Sequence, residues 1–88
     1  MSPEQFAERL RAEGFSEFVT VEREPGGALD VHSHPFEAKA LILDGEITLR
    51  VDGRDTVCTA GETFHLAAGK PHAESYGPRG VRYLVGRK

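Results

Sequence analysis

One cysteine is all that this 88-residue chain contains. Cys58 therefore has no internal disulfide partner, and a small disulfide-stapled scaffold is excluded. The N-terminus lacks the basic-then-apolar layout of a signal peptide. No apolar run approaches the roughly 20 residues that span a membrane. Together these absences predict a cytoplasmic protein with no membrane partner. A basic stripe is missing too. Net charge is −3, with 11 basic residues scattered among 14 acidic ones, so nucleic acid is not the expected partner. Arg79, Arg82, Arg87 and Lys88 near the C-terminus read as solvated surface. No internal repeat, low-complexity tract or linker interrupts the chain, so residues 1–88 are expected to form one small domain. A chain this short buries only a little over roughly 60% of its unfolded surface. Support from a metal or a second subunit would compensate.

What is present changes period once. Residues 1–14 read as a helix. Ser2 can cap it, Pro3 fits its first turn, and Gln5 completes a capping box. Phe6, Ala7 and Leu10 form an apolar stripe, and Gly14 is the natural stop. About ten residues are too few for a stable free helix, so this one should pack on the body of the domain or on a partner. From residue 17 to 88 the period is two. Strands are expected at 18–23, 28–34, 38–43, 47–51, 54–60, 63–66, 72–76 and 81–85. Asp44-Gly45 and Asp52-Gly53 are hairpin signals. Short strands at this spacing predict an all-β sandwich or barrel preceded by a short helix.

The chemistry-bearing feature is His32-Ser33-His34, joined much later by His72. Residues i and i+2 on a strand project to one face. Two imidazoles aimed the same way, with a third from a distant strand, make a metal site. Imidazole suits zinc, copper, iron and nickel, and three protein ligands plus water is the pattern of a catalytic zinc site. The bland alternative is a set of partly buried structural histidines, or a turn residue in the case of His72.

Two blocks around these histidines resemble a known family. The first runs from Gly26 through His32, His34 and Glu37 to Gly45. The second runs from Gly61 through Ala67, Gly69 and His72 to Tyr76. They are similar to the two motifs of the cupin superfamily, in order and in register, with fifteen residues between Gly45 and Gly61 as in small bacterial members. The resemblance implies a double-stranded β-helix, or jelly-roll barrel, whose His32, His34 and His72 hold a divalent transition metal: iron, manganese, nickel, zinc or copper. It also marks departures. Where the family places its glutamate ligand this chain has Ala38, and Glu37 is one residue off, on the opposite face of a regular strand. Ala67 replaces the proline of the second motif and Tyr76 its asparagine. The resemblance leaves open a three-histidine centre like that of the thiol dioxygenases of the superfamily.

The neighbours complete the expectation. Glu74 follows His72 by two and should point the same way, as a fourth ligand, a general base or a hydrogen-bond acceptor for an imidazole; its alternative is a solvated rim carboxylate. Ala38 and Ala40 leave room for a small ligand, and Tyr76 and Tyr83 are possible cavity walls or core. His65 is expected on the other sheet face, Glu37 at the surface unless a bulge after Pro35 turns it inward toward the histidines, and Cys58 as a small buried thiol. Leu41 and Leu43 should then face outward, under the helix or a second subunit. Cupins commonly dimerise, so a homodimer is expected. Two functions fit: a metal-dependent oxygenase, isomerase, lyase or hydrolase acting on a small oxygen-bearing molecule, or a non-catalytic module that binds a metal or small metabolite.

Overall fold

The computed structural model describes all residues, Met1–Lys88. Helix α1 spans Pro3–Ala12, and its capping box forms as expected: Gln5 N–H donates to Ser2 Oγ at 3.1 Å, and Ser2 N–H donates to Gln5 Oε1 at 2.9 Å. Six strands follow: β1 Glu17–Arg23, β2 Ala28–His32, β3 Ala38–Val51, β4 Arg54–Thr59, β5 Thr63–Leu66 and β6 His72–Arg87. All pairings are antiparallel.

Two long strands carry the fold. The first half of β3 pairs with β5 and with the second half of β6, which also pairs with β1. The second half of β3 pairs with β4 and with the first half of β6, which also pairs with β2. The result is two four-stranded arrays, β1-β6-β3-β5 and β2-β6-β3-β4, sharing β3 and β6. Ala38, Ala40, Ile42, Tyr83 and Val85 from the first array meet Ile47, Leu49, Cys58 and Tyr76 from the second in one buried cluster. This is the jelly roll.

Two expectations need correction here. Asp44-Gly45 is not a hairpin turn. β3 runs through it with shifted register on either side. A two-residue hairpin of this kind needs φ > 0 at both central residues. Asp52 and Gly53 meet that demand (φ 52° and 76°) and turn the chain from β3 into β4, whereas of the other pair only Gly45 is left-handed, at φ 77°. One left-handed residue bends a strand without reversing it. The two strands expected at 72–76 and 81–85 are likewise one bent strand, β6. The bends touch: a Cβ on Gly45 would overlap the Gly80 carbonyl. Each bend also switches parity. Inward residues are 38, 40 and 42, then 47 and 49 on β3, and 72, 74 and 76, then 81, 83 and 85 on β6.

The outward apolar row is covered by the chain's own helix. Leu41 is buried against Phe6, Leu10 and Phe15, with Leu43 packed beside them. Burying a leucine such as Leu10 is worth roughly 1.5–3 kcal/mol, which a free ten-residue helix lacks.

Candidate metal centre

β2 pairs with the start of β6 in a register that sets His32 opposite His72. β2 ends at His32, so His34 projects from the segment after the strand. The β5–β6 loop ties that segment down: Gly69 N–H donates to the His34 carbonyl at 2.7 Å. The His34 ring stacks on Phe36 at 4.9 Å between centroids. Ring centroids lie 4.3 Å apart for His32 and His72, 5.0 Å for His32 and His34, and 5.4 Å for His34 and His72. One ligand-capable nitrogen from each ring lies within 4.8 Å of the other two.

The ring tautomers are set by the backbone. His32 Nδ1 lies 2.7 Å from the Asp30 carbonyl and His72 Nδ1 lies 3.0 Å from the Lys70 carbonyl. Carbonyls accept, so Nδ1 carries a proton in both rings, and in the neutral imidazole Nε2 is the nitrogen left with a free lone pair. That is the outer-sphere arrangement typical of metal-bound histidine. His72 Nε2 is buried and has no hydrogen-bond partner, a condition that costs about 1–3 kcal/mol. Burial, reinforced by the neighbouring His32 and His72, holds the His34 pKa below the ordinary imidazole value. This favours its neutral form, which binds metals. The residues present therefore fit a divalent transition metal.

Glu74 is buried among these rings. Its Oε2 lies 3.5 Å from His32 Nε2 and 3.4 Å from His72 Nε2, both longer than an ordinary N–H···O bond. Its Oε1 accepts a 2.9 Å bond from the Tyr76 hydroxyl. Burial, and then that bond, push the Tyr76 pKa well above the usual phenol range, so Tyr76 stays a donor. Burial first, and then the Glu74 charge, push Tyr83 up to about 12.

A cavity of about 150 Å³ opens beside the rings. Ala38 and Tyr83 line it. Ala40 and Tyr76, named with them as possible walls, do not; both are buried in the core. His65 and Glu37 are on the outside, paired with each other at 2.6 Å. Cys58 is buried, and burial raises its thiol pKa.

Sequence reasoning missed both charged wall residues outside the histidine cluster, Arg23 and Arg87, along with apolar walls such as Phe36, Phe64 and Leu66. Arg87 was expected in solvent with Arg79 and Arg82, yet its Nε is buried without a partner. The signal was present. Val19, Val21 and Arg23 form one alternating file on β1, and Val81, Tyr83, Val85 and Arg87 another on β6. A charge that ends an inward apolar file can reach the cavity: Arg87 buries its Nε there, and Arg23, though exposed, lines the rim.

A family model described as a cupin domain matches residues 19–84. The chain belongs to the cupin family. Solved structures share its fold. An RmlC-like cupin from Shewanella frigidimarina aligns with a TM-score of 0.68 at 24% identity, over 80% of this chain and 63% of that one. The polyketide cyclase RemF from Streptomyces resistomycificus aligns with a TM-score of 0.67 at 29% identity, over 88% and 58%. A structure reported with the DMSP lyases RdDddP and RnDddQII aligns with a TM-score of 0.74 at 21% identity, over 81% and 37%. This cupin thus spans less than two thirds of the length of each of these structures. No curated protein matches its sequence. Cupins commonly bind divalent metals, and this one has a three-histidine group that could hold one.

Proposed function

We propose that this cupin binds a divalent transition metal through His32, His34 and His72 and acts on a small oxygen-bearing molecule in the adjoining cavity. The observation that carries this reading is the buried, partnerless Nε2 of His72, whose Nδ1 is occupied by the Lys70 carbonyl. His32, His34 and His72 would hold the metal, which would supply Lewis acidity toward an oxygen-bearing molecule in the cavity. The rest falls to the chain itself. The Asp30 and Lys70 carbonyls hold two rings in the ligating tautomer. Glu74 Oε2 is placed to accept a proton from a molecule beside the rings, and Tyr76 fixes that carboxylate through Oε1. Phe36, Phe64 and Leu66 supply apolar cavity wall and limit water. Support for catalysis comes from Glu74 and from two of the similar structures, which are named as a cyclase and as lyases.

Metal analysis of untagged protein purified without added metal, beside His32→Ala/His34→Ala, tests the site. Near one equivalent of metal, lost in the double variant, is expected. No metal in either protein, with no uptake on reconstitution at neutral pH, overturns the reading. Glu74→Gln then separates function classes. A catalyst loses turnover while retaining metal; a binding module loses neither metal nor ligand affinity.

A further inference from the structure

Two buried side-chain atoms in this protein lack hydrogen-bond partners, and both belong to residues that line the same cavity: His72 Nε2 and Arg87 Nε. They are chemical opposites. The imidazole nitrogen offers a lone pair and suits a cation. The guanidinium N–H is a permanently cationic donor and suits an anion. The metal reading accounts for the first and leaves the second unexplained.

The Arg87 head is held in place on its other sides. Nη1 donates to Glu17 Oε1 at 2.9 Å, and the guanidinium carbon sits over the Phe36 ring, 4.9 Å from its centroid. Arg23 lines the same cavity from β1. Arg23 is itself exposed, and Glu17 engages Arg87 only at Nη1, so the Nε side of the Arg87 guanidinium is the cationic donor left without a partner, facing a cavity whose one lining carboxylate is Glu74. Size narrows the class further. About 150 Å³ is the liquid volume of roughly five waters, room for a few heavy atoms. A planar two-oxygen anion matches a guanidinium edge. We infer that the cavity takes a small carboxylate, its carboxyl group received by Arg87 Nε with Arg23 alongside, and its remaining oxygen turned toward the histidines. The last clause rests on the proposed metal site; the arginine observation does not.

Calorimetric titration with glycolate and with ethylene glycol, alongside metal analysis of the same samples, tests this. Glycolate is expected to bind and ethylene glycol to bind at least about tenfold more weakly, since a lost charged hydrogen bond costs on that order. Arg87→Gln should weaken glycolate about tenfold or more while leaving metal content unchanged, and Arg87→Lys should recover part of the loss. Should Arg87→Gln fail to fold, Arg23→Gln should weaken glycolate in the same direction. Glu17→Gln, which removes the competing carboxylate charge from beside Nη1, should tighten glycolate. In metal-free protein the preference for glycolate should persist, weaker, and still depend on Arg87. Failure to take up metal overturns the proposed metal site and leaves the arginine inference to that metal-free titration. Equal binding of the two probes, no glycolate binding to metal-loaded protein, or glycolate binding indifferent to Arg87→Gln and Arg23→Gln overturns the carboxylate inference and leaves the metal site standing.

Discussion

Histidine meets glutamate in two settings in this molecule, one on the outside of the barrel and one inside it. Outside, His65 and Glu37 form a direct 2.6 Å pair with half and a third of their side chains exposed. Inside, Glu74 is 93% buried and stands back from His32 and His72 at 3.5 and 3.4 Å. The shorter contact is the less consequential one. Water screens an exposed pair, which contributes at most about 1 kcal/mol. In the interior the rings are committed to backbone carbonyls at Nδ1, so their Nε2 atoms and the carboxylate face a common space without satisfying one another. An incomplete polar cluster in a low-dielectric setting is what distinguishes a site from a surface ion pair.

Substitutions should separate the two settings sharply. The largest contrast is His72→Ala against His65→Ala. The first should lower metal affinity on the order of 100-fold or more, by analogy with losses seen even for outer-sphere partners, and the second should leave metal content unchanged; elemental analysis after dialysis against a weak chelator reads both. Next comes stability. Metal held at about 100 times its dissociation constant should add roughly 2.7 kcal/mol, which in a domain of this size raises the unfolding temperature by about 10–20 °C. A thermal melt should show this rise in the native protein and in His65→Ala, and none in His72→Ala. Tyr76→Phe is a subtler probe of the inner cluster. It strips Glu74 Oε1 of its one protein donor and should cost about 1–2 kcal/mol in urea unfolding, with metal still bound. Smallest is Glu37→Gln, expected to fall within about 0.5 kcal/mol of the native protein. A loss comparable to that of Tyr76→Phe would erase the distinction drawn between the two clusters.

Much of this was legible in the residue order. The capping box at Ser2 and Gln5 and the helix stripe of Phe6 and Leu10 follow from local patterns that tertiary packing did not override; that this helix rather than a second subunit covers Leu41 is a tertiary contact that local pattern leaves open. The alternation of Ile47, Leu49 and Val51 and the Asp52-Gly53 turn also carried through. Asp44-Gly45 misled because the dipeptide signals a left-handed residue without saying how many there are. Asp44 keeps an ordinary φ, and the chain bends where a second positive φ would have reversed it. The convergence of His32, His34 and His72 was expected from motif spacing and strand parity, although His34 lies beyond the end of its strand and is held by Gly69 instead. Arg87 was misread because composition near a terminus was weighed above its place in an inward file. Ala40 and Tyr76 share the correct face with the cavity residues, but periodicity assigns a face and not a depth along the barrel.

The bend in β6 has one more bearing, on how such a pocket can change over generations. His72 and Glu74 stand at one end of this strand and Tyr83 and Arg87 at the other, and between Tyr76 and Val81 the inward file passes from even to odd positions. Inserting or deleting a single residue in that interval would turn Tyr83 and Arg87 to the outer surface while His72 stayed inside. The two halves of the pocket are thus phased by the length of one short stretch. Point replacement can retune this cavity, whereas lengthening the corner would dismantle it.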